Sequence, residues 1–382
     1  MGGPFQVGGA VEPPYFVGRG REIAEITEGL RSLSQNYLII APRRTGKTSL
    51  LLAIRNELAD KEVLPTYLNC RGMTTLEGFA RGLVESTLGA YEVKYKRGLL
   101  ETFTKSVKGK ILDALRRVER VGGSVRKIGE IYITFREEEI DDKKLLSGAF
   151  GFLEEFAAEK GLSVIVLLDE LQKTCVFDGC VFELFKDKID VQKNVRYCVS
   201  GSSVSMLNDI FLRGDSPLYM MFTKVYLPPL PEEITQRFVK ERLEAFNVRI
   251  TQPALRLLYA YTGGIPYYVQ KLGHFCFVES PTHRIDKEAV ITSFGRMLTE
   301  FDEEFESRFM DRFSPKRQAI LRTIARREGA KVSDVAEALG IPVNYLGESM
   351  RFLVESMVLQ RVSRGYYDFY DPVFKAWLRE RL

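Results

Sequence analysis

The sequence is short of the residues that build disulfide scaffolds, metal centres and membrane spans. Its 382 residues include five cysteines, two histidines and one tryptophan. The cysteines are irregularly spaced, which indicates the reduced thiols of a cytoplasmic protein. Cys175 and Cys180 are too far apart for a C-x-x-C pair, and no second pair completes a zinc site beside His274 and Cys276. The longest apolar runs are far shorter than the ~20 residues that a bilayer requires, so we expect no membrane partner.

A strong excess of one charge is also missing. The net charge is +4, with 45% hydrophobic and 28% charged residues. These values are typical of a soluble globular protein, and the length allows two or three domains. A charge of +4 permits a nucleic-acid partner without arguing for one. Residues 1–14 are rich in Gly and Pro and have no signal-peptide pattern, so we predict a loosely held leader there.

The stretch 36–52, NYLIIAPRRTGKTSLLL, predicts a strand, a phosphate-binding loop and a helix. Backbone N–H groups at the start of a helix attract anions, and a glycine lets a phosphate approach the chain closely. Lys47 can reach the β- and γ-phosphates of a nucleotide, and the Thr48 hydroxyl can ligate Mg²⁺. Ala41 replaces the first glycine of the GxxxxGK[ST] pattern. The predicted nucleotide-binding residues here are Pro42, Arg43, Arg44, Thr45, Gly46, Lys47, Thr48 and Ser49.

The stretch 163–172, SVIVLLDELQ, predicts a buried parallel strand with two acids at its carboxyl end, where ligands bind in open α/β sheets. We expect Asp169 to hold Mg²⁺ together with Thr48. Glu170 would polarise the attacking water as a general base, so Glu170 and Lys47 are the predicted catalytic residues. The alternative is a buried strand followed by a solvated acidic turn, which the phosphate loop upstream disfavours.

Strands alternate with helices over residues 15–230, which predicts an α/β domain with a parallel sheet covered on both faces. One strand, 194–200, runs into Gly201, Ser202 and Ser203. Hydroxyls there can contact a γ-phosphate or the attacking water, and a helix-capping role is an equal alternative. Residues 91–140 differ in composition, and we predict a helical insertion with a short strand or hairpin.

The strands stop at residue 231. Residues 231–312 predict a small helical lid domain beside the nucleotide. Residues 313–382 have the order helix, helix-turn-helix and hairpin, which predicts a winged-helix domain. That last part has 12 basic and 8 acidic residues, a net charge of +4, which slightly favours an anionic partner.

The third helix of the predicted winged helix, residues 343–355, does not favour an anionic partner. Arg351 is its one basic residue, whereas a DNA-reading helix usually carries several. The side chains expected to face outward are Asn344, Tyr345, Glu348 and Ser349. DNA contact and protein docking therefore both stay open, and protein docking is favoured.

Seven motifs occur in an order that resembles the archaeal ATPase family of the STAND class of P-loop ATPases, relatives of AAA+ and origin-recognition proteins. They are FVGRGREI, APRRTGKTSLL, VLLDE, SGSSVSML, SPLY, TGGIPYY and DPVFKAWL. The resemblance implies a P-loop NTPase sheet followed by a helical lid and a winged helix, with ATP or ADP and Mg²⁺ bound. It also implies an ATP-driven switch, for which a nucleotide-dependent oligomer is possible.

The resemblance adds further site residues. It implies that Gly18 and Arg19, together with the turn Gly264-Ile265-Pro266, lie near the adenine. It implies a sensor role around Ser200 and Ser202.

Three positions depart from the family pattern. Ala41 stands for the first loop glycine, Gly20 stands where the family has Glu, and Met220-Met221 stand where it commonly has Gly-Arg. If that arginine senses the γ-phosphate, another cation must replace it, and intrinsic hydrolysis is slow without one. The candidates are Arg43, Arg44 and Arg213.

The sequence therefore predicts a Mg²⁺-dependent ATPase that works as a nucleotide-driven conformational switch. One alternative is a DNA-binding regulator or replication-associated factor that uses ATP as a structural ligand. Another is a protein-interaction switch whose winged helix docks on the sheet domain until ATP releases it.

Overall fold

The computed structural model describes residues 3–95, 142–177, 180–280 and 283–382. The helices are α1 (Gly20–Arg31), α2 (Lys47–Glu57), α3 (Leu76–Tyr95), α4 (Asp142–Lys160), α5 (Cys180–Ile189), α6 (Val204–Phe211), α7 (Glu232–Glu244), α8 (Gln252–Thr262), α9 (Pro266–Val278), α10 (Lys287–Glu300), α11 (Asp302–Arg312), α12 (Pro315–Ala325), α13 (Val332–Leu339), α14 (Gly347–Glu355) and α15 (Pro372–Arg379). The strands are β1 (Asn36–Ile40), β2 (Val63–Asn69), β3 (Ser163–Asp169), β4 (Val195–Gly201), β5 (Phe222–Tyr226), β6 (Arg249–Ile250), β7 (Arg284–Ile285), β8 (Ala330–Lys331), β9 (Leu359–Ser363) and β10 (Tyr366–Phe369). No helix of the described ranges is long and apolar enough to cross a membrane.

Five strands form one parallel sheet in the order β2-β3-β4-β1-β5. The central strands are mostly apolar because both faces are covered: every residue of β1 is buried, and so is every residue of β3 after Ser163. Helices α1 and α2 contribute to the core on one face, and α3 to α6 contribute to the core on the other. The predicted α/β fold with a parallel sheet is confirmed.

This strand order places the site. Strand β4 lies between β1, which leads into the phosphate loop, and β3, which ends at Asp169. Ile39 of β1 pairs with Ser200 of β4, and Leu168 of β3 pairs with Val199. Because parallel strands end at the same edge, the loop, the Ser200 hydroxyl and the two acids meet there.

The expectation of a loosely held leader is wrong for the described residues 3–14. The Phe5 side chain is 5% exposed and stacks edge-on against Phe238, with ring centroids 6.1 Å apart. Phe5 also fills the space above Gly273, where a Cβ atom would lie 2.7 Å from the Phe5 ring. The Phe5 side chain thus helps to anchor a Gly- and Pro-rich segment to the helical part of the protein.

The predicted insertion 91–140 begins differently from the expectation. Helix α3 continues to Tyr95, and Tyr91 is buried against Phe156 of α4, with ring centroids 5.3 Å apart. Residues 91–95 therefore belong to the sheet domain. Residues 96–141 lie outside the described residues.

From α7 to α12 the chain is helical except for the short strands β6 and β7, which pair in parallel, so the strands do not stop at residue 231 as expected. Strands β8, β10 and β9 form a small antiparallel sheet with the hairpin that was expected between 358 and 370. Helix α15, which sequence reasoning missed, packs Phe374 and Trp377 against Phe305 and Phe309 of α11. As a result, residues 231–312 and 313–382 share one hydrophobic core.

Candidate functional site

The loop between β1 and α2 leads into the N-terminus of α2 through Gly46. Gly46 caps α2 with φ 89°, a left-handed conformation that glycine adopts without strain, and a Cβ added there would meet nothing within 4 Å. Thr45 closes the loop internally, because its hydroxyl donates to the Pro42 carbonyl at 2.9 Å. The loop and the first turn of α2 can therefore hold an anion.

Lys47 lies inside this loop. Its side chain is 5% exposed, and Nζ donates to the carbonyl oxygens of Ala41 at 2.9 Å and Pro42 at 2.6 Å. Burial lowers the pKa of the Lys47 ammonium to about 8, and the charges of Glu170 and Asp169 oppose that shift. The lysine is thus close enough to both acids to interact with them electrostatically.

Asp169 accepts three hydroxyl groups. Thr48 donates to its Oδ2 at 2.7 Å, Tyr67 donates to the same oxygen at 3.1 Å, and Ser200 donates to Oδ1. A carboxylate and a threonine hydroxyl side by side are the hard oxygen ligands that Mg²⁺ prefers. The donor set therefore fits the metal predicted from the sequence. Sequence reasoning did not find Tyr67, which lies one strand away on β2.

Glu170 adopts a left-handed conformation, with φ 58°, directly after β3. Its Oε2 accepts hydrogen bonds from Gln172 Nε2 at 2.6 Å and from Ser202 Oγ at 2.8 Å. Ser202 therefore contacts the predicted general base directly. Gln172 is a second residue that sequence reasoning missed.

Lys47, Thr48, Asp169 and Glu170 line one cavity of about 470 Å³, whereas Gln172 and Ser202 line a neighbouring one. Of the residues predicted from the sequence, the following line it: Arg43, Arg44, Gly46, Lys47, Thr48, Ser49, Asp169, Glu170 and Pro266. The residues that sequence reasoning missed are Gln6, Gly8, Gly9, Ala10, Val11, Asn69, Arg71, Tyr267, Gln270 and Glu304. Lys47 and the acid pair, 122 or more positions apart in the sequence, thus line the same cavity.

The N-terminal segment crosses this cavity and is held at both ends. Val11 N–H donates to Ser49 Oγ at 2.9 Å, and Gln6 N–H donates to Gln270 Oε1 at 3.0 Å. Ser49, predicted to bind nucleotide, therefore binds the N-terminal segment through its side chain. The segment connects α2 of the sheet domain with α9 of the helical part.

Arg44 lines the cavity, and its guanidinium is held by the helical part of the chain. Its guanidinium lies 4.5 Å from the ring centre of Phe301, donates to the Tyr268 hydroxyl at 2.9 Å and pairs with Glu304. Tyr268 on α9, Phe301 between α10 and α11, and Glu304 on α11 surround the guanidinium, and a phosphate contact of Arg44 stays a prediction. Arg44 joins the phosphate loop to the helical part.

Most of the residues expected near the adenine are not among those that line the cavity. Gly18 and Gly264 both contact Leu230, and a Cβ on Gly264 would come 2.1 Å from the Leu230 carbonyl oxygen. Arg19 is 3% exposed and donates to the Pro228 carbonyl at 2.5 Å. Pro266 is the predicted residue of this group that reaches the cavity wall.

The three arginines proposed to replace a missing γ-phosphate sensor differ in their surroundings. Arg44 is engaged as described above. Arg213 lies on the surface, where it donates to both carboxylate oxygens of Asp215, at 3.1 and 2.8 Å. Arg43 lines the nucleotide cavity and makes no hydrogen bond or ion pair to any described residue. Arg43 is therefore the candidate with a free guanidinium at the site.

The parallel sheet and the lysine, hydroxyl and acids at its edge define a P-loop nucleoside triphosphatase. The chain belongs to the family described as an ATPase domain predominantly from Archaea, whose pattern matches residues 16–272. It is accordingly a nucleotide-binding ATPase, as expected from the sequence.

Two solved structures share the fold. A Walker-type ATPase of Pyrococcus abyssi is 21% identical, with a TM-score of 0.72, and the match covers 98% of this chain and 99% of that one. The ORC2 protein of Aeropyrum pernix, solved as ADPNP–ADP complexes, is 12% identical, with a TM-score of 0.59 and coverage of 97% and 96%. Comparison with curated proteins gives no match.

Proposed function

We propose that the chain is a Mg²⁺-dependent ATPase of the STAND class that works as a nucleotide-driven conformational switch. The observation that carries the proposal is the meeting of Lys47, Thr48, Asp169 and Glu170 around one cavity. The loop N–H groups and Lys47 would hold the β- and γ-phosphates. Bound Mg²⁺, held by Thr48 and Asp169, would neutralise charge on the phosphate oxygens.

Glu170 would orient the attacking water. Its Oε2 takes the hydrogen bonds from Gln172 and Ser202, so Oε1 is left to accept a proton from a water molecule. Positioning of this kind is the main protein contribution to phosphoryl transfer, because little covalent chemistry is asked of the side chains.

A direct test is ATP binding by the Lys47→Ala variant, measured by calorimetry. We expect a large loss of affinity, because the variant removes the one buried ammonium in the phosphate loop. Lys61→Ala is a matched control, since Lys61 is exposed and lies away from the cavity. Unchanged affinity in Lys47→Ala would overturn the site.

The switch is supported by contacts between the loop and the rest of the chain. Arg44 links the phosphate loop to Tyr268 and Glu304, and Tyr267 N–H donates to the Arg44 carbonyl at 3.3 Å. A phosphate that moves this loop would therefore move α9 and α11 with it. Small-angle scattering with ADP and with a non-hydrolysable ATP analogue tests this, and identical profiles would contradict the switch.

We infer that residues 313–382 form a winged helix. Ser349 is buried, contrary to the expectation that it faces outward, whereas Asn344, Tyr345 and Glu348 are exposed. The last turn of the third helix reaches the sheet domain, because Asn208 of α6 donates to the Glu355 carbonyl at 3.4 Å. This contact favours a docking role for the winged helix.

The alternative, DNA binding with ATP as a structural ligand, has its own supporting observation. Arg351, Arg361 and Arg364 are exposed on the third helix and the hairpin. Titration of duplex DNA at several salt concentrations would give a steep salt slope if these residues neutralise phosphates. Arg364→Glu should then weaken binding more than Arg237→Glu on α7, and a flat salt response would dismiss this alternative.

A further inference from the structure

The carboxylate of Glu170 is held on one side only. Gln172 Nε2 and Ser202 Oγ both donate to Oε2, at 2.6 and 2.8 Å. Two hydrogen bonds to one oxygen fix the rotation of the carboxylate as well as its position. The hydrogen bonds to Oε2 therefore also set the direction in which the remaining oxygen, Oε1, points.

Gln172 is placed for this contact by the local chain. It lies in the 3₁₀ turn Leu171–Val176 that follows β3, two positions after Glu170, and its side chain is 2% exposed. Gly201 leaves room for its amide, because a Cβ atom there would lie 2.2 Å from Gln172 Oε1. The glycine at the end of β4 thus leaves space for the Gln172 amide beside Glu170.

The orientation of the amide is informative. Gln172 Nε2 also lies 3.4 Å from Ser202 Oγ, while its Oε1 is buried and has no hydrogen-bond partner in the described part of the chain. A glutamine that served packing alone would gain more by satisfying its buried carbonyl, because unpaired buried acceptors are unfavourable. The amide is instead committed to donating toward the carboxylate.

We propose that Gln172 is a positioning residue for hydrolysis, which acts together with Ser202 by holding Glu170 so that Oε1 faces the attacking water. The proposal rests on the proposed role of Glu170 as the residue that orients water. It assigns to Gln172 no contact with the nucleotide, so the expected effect lies in turnover and not in ATP binding.

The central variant is Gln172→Met, which keeps the length and apolar burial of the side chain but removes the donor. We expect kcat to fall roughly tenfold to a hundredfold, in line with the cost of small errors in positioning, while KM and the Kd for ATP stay within about twofold. Gln192→Met is the matched control. Gln192 is also buried and hydrogen-bonded, to the Phe150 carbonyl at 2.9 Å, but lies away from the cavity.

Ser202 gives a second route if Gln172→Met folds poorly. Ser202→Ala removes the other donor and should lower kcat to a similar extent. Ser202→Thr keeps a hydroxyl and should have a kcat close to that of wild type. Turnover is compared per folded molecule, with folding checked by thermal unfolding.

A double variant separates positioning from a structural effect. If Gln172 acts through Glu170, Gln172→Met should cause no further loss of single-turnover rate in a Glu170→Gln background. Wild-type or higher turnover in Gln172→Met, or losses that multiply in the double variant, would overturn the positioning role. If Glu170→Gln alone hydrolyses ATP at the wild-type rate, the proposed role of Glu170 is wrong, and so is the role of Gln172 in positioning it.

Discussion

Thr48 donates its hydroxyl to the carboxylate of Asp169 at 2.7 Å, across 121 positions of sequence. Thr48 lies in the first turn of α2, after β1, and Asp169 ends β3, with β4 between these two strands. The contact shows that the phosphate loop and the acid pair form one site. The same two side chains are the proposed ligands of Mg²⁺, so the hydrogen bond marks where the metal would be held.

Replacement of Asp169 should show this directly. We expect Asp169→Asn to lower turnover by about a hundredfold at limiting Mg²⁺, with partial recovery when Mg²⁺ is raised, because the amide is a weaker ligand for a hard cation. Thr48→Ser keeps the hydroxyl and should retain most of the rate. Turnover that does not respond to Mg²⁺ or to its removal by a chelator would contradict the assignment.

The buried charge of Lys47 predicts a pH dependence. Burial lowers the pKa of Lys47 from 10.5 to about 8, so the ligand-free protein loses this proton as the pH rises through about 8. The bound phosphates need the charged form, so ATP affinity should fall above that pH. Calorimetry from pH 7 to pH 9 measures this, and the Lys47→Ala variant should show a weak and flat profile over the same range.

The stability of the ligand-free protein should change with pH in the opposite direction to the ATP affinity. Between about pH 8 and 10.5 the unfolded chain binds a proton at this lysine that the folded chain does not. The free energy of unfolding of the ligand-free protein should therefore rise with pH across that window, relative to Lys47→Ala. A fall relative to that variant would contradict the lowered pKa.

The N-terminal segment should contribute to both stability and binding. Phe5→Ala removes a buried ring from the core and should lower the free energy of unfolding by about 3 kcal/mol, measured with denaturant. It should also weaken ATP binding, because Gln6 and Gly8 to Val11 line the cavity. Phe5→Leu, which keeps most of the burial, should lose much less. Equal stability of wild type and Phe5→Ala would show that the segment is not anchored.

The main parts of the site were predictable because their signals are local. An apolar strand followed by Gly46-Lys47-Thr48, and another followed by Asp169-Glu170, each occupy a short window of sequence. Parallel strands then bring their carboxyl ends to one edge. The residues that donate hydrogen bonds to Asp169 and Glu170 were harder to predict from the sequence. The position of Tyr67 depends on the register of β2, and that of Gln172 depends on the turn after β3.

Long-range contacts account for what the sequence did not show. The segment 1–14 has the composition of a flexible tail, but its described residues are held by Phe5 above Gly273 and by the hydrogen bonds of Gln6 and Val11. The position of Arg44 in the loop predicts a phosphate ligand, but its guanidinium contacts Tyr268 and Phe301, which lie more than 220 positions away in the sequence. None of these contacts leaves a pattern in the neighbouring sequence.

Arg44 gives a further prediction. Arg44→Ala should destabilise the protein by about 1–2 kcal/mol, because it removes a largely buried cation from the ring of Phe301 and from Tyr268. It should also expose the helical part to limited proteolysis at lower protease concentration. Arg44→Lys keeps the charge but not the planar donor group, and should be intermediate. An unchanged proteolysis pattern would argue against Arg44 as a link between the loop and the helices.

The two remaining arginines can be compared in one assay. Arg43→Ala should lower kcat, since its free guanidinium lines the nucleotide cavity. Arg213→Ala should leave kcat close to wild type, because Asp215 holds that side chain on the surface. The reverse pattern in steady-state turnover would mean that Arg213, and not Arg43, supplies the γ-phosphate cation.

The most direct measurement is ATP binding and turnover of Glu170→Gln beside wild type. We expect the variant to bind ATP with wild-type affinity and to hydrolyse it at least about a hundredfold more slowly, because the amide cannot accept the proton of the attacking water. Wild-type turnover in Glu170→Gln would show that Glu170 does not orient the water.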